Sequence, residues 1–193
     1  MDNQLFNELV SSIQEASAIK RKERVASRVF QIELPNVKLD GSLMQPYENP
    51  EIIAYSKLLA ESFLQLTGRP LILSGSDLAQ RLYEAPFALV SHGMEADPIF
   101  RYANQTAQTL WQMTWDEFVT LPSRLSAEQM LQEERDRLLQ EAQSKGYIDT
   151  YEGIRIAKNG HRFKIQDTVL WNVIDAHGVQ HGQACVIRRW DFL

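Results

Sequence analysis

Ser91-His92, Asp97 and Arg124 are the residues whose types could do chemistry: a histidine base, a carboxylate to orient it and a guanidinium to hold an anion. That set defines one functional alternative, a small enzyme acting on a hydrophobic substrate with His92 and Arg124 in its site. It lacks two parts that acyl or group transfer needs, a nucleophile on a strand-to-helix elbow and a loop of oxyanion donors. The structural alternative is a polar loop in which Asp97 caps and Arg124 pairs with a carboxylate or a carbonyl, and the spacing favours it. The histidines are His92, His161, His177 and His181. None makes a metal-ligand spacing on a helix, and a Gly178 turn separates the two that lie four apart. Cys185 is the single cysteine, which excludes an internal disulfide and any multi-cysteine metal site. With no base beside it in the sequence, it reads as a small apolar strand residue. No catalytic residue and no metal site are assigned.

The elements that must position these residues belong to an ordinary globular chain of 193 residues, 44% hydrophobic and 23% charged. That length supports one domain with a real core plus an extension. No run approaches the roughly 18 apolar residues of a membrane span, and the N-terminus lacks a secretory signal, so a cytoplasmic protein is expected. The formal net charge of −5 argues against nucleic acid as a partner. Lys20, Arg21, Lys22, Arg24 and Arg28 are a local exception; on a helix they spread around the circumference as a solvated end.

Residues 3–28 read as a helix with a narrow Leu5, Leu9, Ile13, Ala16 stripe, suited to docking on the domain or on a second chain. Phe30, Ile32 and Leu34 suggest an extended arm, and residues 35–50 a linker, so 1–48 is an extension and 49–193 the main domain. The next helix has clear ends: an Asn49 cap, Pro50 at its first position, and Gly68 with Pro70 as a stop. Ile52, Tyr55, Leu59, Phe63 and Leu66 form its buried face. A shorter helix from the Ser76-Asp77 cap buries Leu78, Leu82 and Tyr83. Strands are expected at Phe87–Val90 and Ile99–Tyr102, followed by an Asn104 helix cap. Capping boxes are expected at Thr114–Glu117 and Ser126–Gln129, the second opening a helix with Leu131, Leu138, Leu139 and Ala142 that closes at Gly146. After Gly146 the period becomes two. Phe163, Ile165, Val169, Trp171 and Val173 then share one strand face, interrupted at Asp167 by a bulge or a polar spot. Asn159-Gly160 favours a type I′ hairpin, and Gly178 marks another tight connection. The fold class is α+β: a five-stranded antiparallel sheet with helices packed on one face, plus N-terminal helices.

Two strands, several short helices and three antiparallel strands resemble the PAS pattern. Ile99-Phe100-Arg101-Tyr102-Ala103-Asn104 is similar to the second PAS strand with its capping Asn, and Thr114-Trp115-Asp116-Glu117-Phe118 to the following helix. A closer resemblance is to the PAS-like MEKHLA domain family. It is carried by Thr67-Gly68-Arg69-Pro70-Leu71, Tyr83–Gly93, Asp97-Pro98-Ile99-Phe100 and Leu121-Pro122-Ser123-Arg124-Leu125-Ser126, and spans about Asn49 to Trp190. His92, Asp97 and Arg124 fall in these polar signature segments. Some family members end plant homeodomain–leucine zipper transcription factors, but neither of those parts is present here, so their DNA binding does not transfer.

The resemblance implies a sensor or protein-interaction module, regulated through dimerisation or a small apolar ligand, with a homodimer or a separate signalling protein as partner. No nucleic acid or membrane is implied. Because the sequence stops soon after the last strand, signals are expected to leave through the N-terminal helices, the exposed sheet face or another protein. The cofactor is unknown. Flavin–cysteine photochemistry is disfavoured because Leu121–Ser126 holds no Cys, and His-ligated haem because residues 126–145 hold no His. Tyr102, Trp111, Trp115, Phe118, Phe163, Trp171 and Cys185 are the candidate pocket, expected to converge between sheet and helices. Large rings also close such a space outright, and core packing is the favoured reading.

Overall fold

The computed structural model describes residues 44–73, 75–128 and 145–193. The expected helix at 3–28, its basic cluster, the extended arm, and the helix face carrying Leu131 to Ala142 lie outside these residues. Leu43–Leu193 forms one compact unit.

Its first helix, α1 (Pro50–Thr67), is bounded by the expected chemistry. The Asn49 side chain accepts the Glu51 N–H at 2.9 Å, and Gly68 takes the left-handed conformation (φ 69°) that ends the helix. Helix α2 (Leu78–Tyr83) buries Leu82 and Tyr83. Its Asp77 makes no side-chain cap bond and instead pairs with Arg81 at 3.6 Å. Strands β1 (Ala88–His92) and β2 (Phe100–Ala103) precede α3 (Gln105–Trp111) and the one-turn α4 (Trp115–Phe118). The Thr114–Glu117 capping box closes on α4 in both directions. The second expected box does not form a helix start. Ser126 ends a 3₁₀ turn (Ser123–Ser126) with its hydroxyl bonded back to the Ser123 carbonyl, and Ala127 is extended and bridged to Arg155.

Then follow β3 (Tyr147–Ile148), β4 (Gly153–Ile156), β5 (Arg162–Ile174) and β6 (Gln180–Phe192). All are antiparallel in one sheet ordered β2-β1-β6-β5-β3, with β4 also on β5. The sheet has one strand more than expected because the segment after Gly146 is broken. Strand β3 pairs with Leu170 and Trp171, β4 with Arg162–Ile165, and the two share one edge of β5. The Asn159-Gly160 turn is not type I′, since only Gly160 of the pair has positive φ (85°). The Gly160 N–H bonds the Ala157 carbonyl, and the Ala157 N–H bonds the His161 carbonyl. That is a type I turn closed by a glycine bulge. The β5–β6 hairpin repeats it, with Gly178 (φ 80°) bonded to the Asp175 carbonyl.

Asp167 has φ 46°, in mid-strand, while the register with β6 is the same on both sides of it. A left-handed residue turns the strand over, so the alternation changes faces there. Phe163 and Ile165 join one apolar cluster; Val169, Trp171 and Val173 join the other, and Leu170 now points to the first. The expected single apolar face is thus two half-faces. Strand β6 follows: Cys185 and Ile187 face the first cluster and Ala184 and Val186 the second, and beyond the exposed Arg188 and Arg189, Trp190 returns to the first. Helices α3 and α4 cover the first face through Ala107, Leu110, Trp111 and Phe118. On the other, α1 and α2 contribute Leu59, Phe63 and Leu82. The sheet face expected to be free for partners is therefore covered by α1, where Phe63 meets Trp171 edge-on at 4.9 Å and Ser62 accepts the Trp171 indole N–H at 3.0 Å. Burying rings of this size contributes about 2–3 kcal/mol each.

Candidate functional site

A cavity of about 150 Å³ lies between the sheet and the α3 side. Its floor is the middle of β1, β5 and β6, where Val90, Leu170, Cys185 and Ile187 face the first cluster. Trp111, the last residue of α3, closes one side, and Ser123 and Ser126 of the 3₁₀ turn another. The polar wall is Arg155 of β4 with Tyr151 before it, joined by His92 and Gln183. Arg155 donates to the Tyr151 hydroxyl at 2.6 Å and to the Ile154 carbonyl at 3.1 Å, and its guanidinium carbon lies 5.3 Å from the Tyr151 ring centroid. Cys185 is enclosed, and burial pushes its thiol up to about 12, with the charge of Arg155 opposing. It is not a nucleophile in this state. A larger surface depression runs past Tyr47, Lys57 and Asp77, away from this core.

The signature residues hold the cavity wall. Asp97 receives both Arg124 Nε and Nη2, at 2.9 and 3.1 Å, and this hydrogen bonding raises Arg124 further above its ordinary range. Both side chains are half exposed, so solvent screens the pair and its own contribution to stability is small. Its effect is geometric. With Ser123 N–H on the Pro98 carbonyl (2.8 Å) and Phe100 N–H on the Leu121 carbonyl (3.1 Å), it straps the β1–β2 loop to the 3₁₀ turn. His92 donates Nδ1–H to the Gly93 carbonyl at 2.9 Å. Asp97 is committed to Arg124 and does not orient His92, so the base–carboxylate pair of the enzyme alternative is not assembled.

The aromatic candidates do not converge. Trp111, Phe118, Phe163 and Cys185 belong to the first cluster; Tyr102 and Trp171, with Trp115 against them, belong to the second across the sheet. The turn-over at Asp167 and the period-two alternation of β2 put them there. Trp111 packs edge-on against Phe163 (5.0 Å) and Phe118 (5.9 Å), while Tyr102 meets Trp115 at 5.7 Å. Of the seven, Trp111 and Cys185 line the cavity. Arg155, Tyr151, Leu170, Gln183 and Ser126 were missed. In sequence Ile154-Arg155-Ile156 is an ordinary edge-strand alternation, and nothing local shows which side it turns inward.

The residues do not fit a tricyclic flavin or a haem. The cavity is about half the ~300 Å³ at which drug-sized pockets begin. The 3₁₀ turn offers serines where a flavin-reactive thiol would be needed. Among the described residues no cluster of His, Cys, Asp and Glu could hold a metal ion, and no helix is long and apolar enough to cross a membrane.

Strand order, the Asn104-capped helix and the cavity between sheet and helices define a PAS-like domain. More closely, the chain belongs to the MEKHLA domain family, whose model matches residues 53–192. Among solved structures it is similar to the PAS domain of a protein from Colwellia psychrerythraea, at 15% identity and a TM-score of 0.46 over 57% of this chain and 91% of that one. It is also similar to the light-state dimer of the fungal blue-light photoreceptor Vivid, at 14% identity and a TM-score of 0.47 over 67% and 92% of the two chains. No match was found among curated proteins.

Proposed function

We propose that this protein is a sensor module whose core cavity takes a small, largely apolar molecule and whose occupancy regulates association with a second copy or a separate signalling protein. The observation that carries this reading is the cavity itself. It is a recess partly open to solvent that reaches the buried Cys185 and Ile187, with room for about five waters' share of volume. Its walls come from β1, β4, β5, β6, α3 and the strapped 3₁₀ turn, so filling it ties together elements far apart in sequence. Native mass spectrometry of freshly purified full-length protein is the test. Extra mass that is lost on denaturation supports sensing by a bound molecule. A clean apo mass that no small-molecule library member shifts would count against it.

A second reading, a ligand-free dimerisation module, is favoured by one observation. Ile53 and Leu64 on α1, and Leu73 just beyond, are exposed to 46%, 48% and 72%. Large apolar side chains left this exposed are what an association surface offers. A dimer of unchanged stability whether or not a small molecule is bound would select this reading.

A further inference from the structure

The proposed ligand cavity carries a second message in its charge. Arg155 is the fixed cation of the wall, and no Asp or Glu lines the cavity among the described residues. Four other arginines are matched by a carboxylate, Arg81 with Asp77, Arg101 with Glu95, Arg124 with Asp97 and Arg162 with Glu128, while the exposed Arg189 bonds the neutral Gln166 side chain. The partners of Arg155 are the Tyr151 hydroxyl and the Ile154 carbonyl, both neutral. A guanidinium has five N–H donors in a planar fork, so these two bonds leave donors to spare, and among the described residues no carboxylate answers the charge. A positive charge in a partly desolvated site favours an anion there more strongly than it would in water.

Resting on the reading that the cavity holds a small molecule, we infer that its ligand is a small monocarboxylate, with the carboxylate on the Arg155 guanidinium and a ring-sized apolar body along Trp111, Leu170 and Cys185. The size follows from the volume, since a cavity of about 150 Å³ takes a single six-membered ring. The choice of carboxylate follows from the donor set. One planar fork matches two carboxylate oxygens, whereas a phosphate dianion asks for more cations and donors than one arginine supplies. Tyr151 keeps the fork in place: its hydroxyl accepts from Nη2 and its ring stands 5.3 Å from the guanidinium carbon. The backbone bridge between Ala127 and Arg155 fixes the base of the side chain.

The opposing view makes Arg155 a brace for Tyr151 with no ligand role, and the two views predict different binding. The full-length protein is titrated with benzoate, benzamide, benzylamine and phenyl phosphate, read by calorimetry and by ¹⁵N chemical shifts that include the arginine Nε–H signals. Benzoate is expected to bind at least tenfold more tightly than benzamide and to move the Arg155 Nε–H signal, with benzylamine not binding. Arg155→Gln is expected to bring benzoate down to the level of benzamide and leave benzamide unchanged. Arg155→Lys, which keeps the charge without the fork, should fall between and serves if the glutamine variant does not fold. Equal binding of benzoate and benzamide, or preference for phenyl phosphate, overturns the carboxylate inference and leaves cavity sensing standing. Failure of all four probes at millimolar concentration overturns the carboxylate inference and removes support from the sensing proposal as well.

Discussion

Tyr102 and Ser56 are fully buried, and among the described residues neither hydroxyl reaches a hydrogen-bond partner. Ser56 is near enough to ease the ionisation of Tyr102, but burial dominates and holds its phenol well above the ordinary tyrosine range. An unpaired buried hydroxyl costs about 1–3 kcal/mol. Tyr102→Phe is therefore expected to stabilise the fold by about 1 kcal/mol, a rise in Tm of about 2–4 °C; a fall would show that the hydroxyl has a partner, such as an ordered water. Asp175 is the opposite case. His181 Nε2 at 2.9 Å is the first cause, and the N–H groups of Val179 and His177 add to it, together lowering its pKa to about 2. A lowered folded-state pKa gives stability that is present above the unfolded value, about 3.9, and is lost as pH falls through the folded one. Asp175→Asn should thus be less stable than the parent above pH 4, with the difference closing as pH falls from about 4 towards 2 in chemical denaturation. At this scale Asn104 was legible because capping is a local signal. Its carbonyl oxygen accepts from Leu89 and Ala107, and its amide donates to Phe87 at 2.7 Å. The inward placing of Arg155 was not, because it depends on which side an edge strand presents.

At the scale of elements, β5 is governed by Asp167. Asp167 interrupts the apolar face, but the apolar residues keep the same parity on both sides of it, so the interruption was visible and the exchange of faces was not: Phe163 and Val169 have the same parity yet lie on opposite sides. L-residues at positive φ cost about 1–2 kcal/mol, less for Asp and Asn, and β-branched side chains suffer most. Asp167→Gly should leave stability within about 1 kcal/mol of the parent, and Asp167→Ile should lose about 2 kcal/mol in urea unfolding. Equal stability of the two variants would mean the strand does not turn over there. The hairpins teach the same distinction. Gly160 and Gly178 announced where the chain reverses, but the type I turn with a bulge takes three loop residues rather than two and keeps the residue before the glycine at negative φ, which a dipeptide does not reveal.

At the scale of the molecule, both apolar clusters are built from residues between Leu59 and Ile187, within the compact unit Leu43–Leu193. A fragment of residues 43–193 is therefore expected to fold cooperatively with the circular dichroism of a mixed α/β domain. Its self-association, read by light scattering, is expected to be weaker than that of the full chain; unchanged association would place the contact on the domain itself. The overall architecture was legible because turn glycines, caps and alternation all agreed with one topology. The placement of α1 over the second face was not, since an amphipathic stripe says that a helix docks without saying on what.

Because β5 and β6 form a single layer between cavity and helix, neighbouring residues look opposite ways. Leu170 and Cys185 border the cavity, while Trp171, Ala184 and Val186, next to them in the chain, face α1. The partition is one backbone thick, like a diaphragm. Cavity and helix thus share a common wall, and on the proposed reading a guest that pushes the floor outward would reach the residues against Phe63 without a relay of side chains.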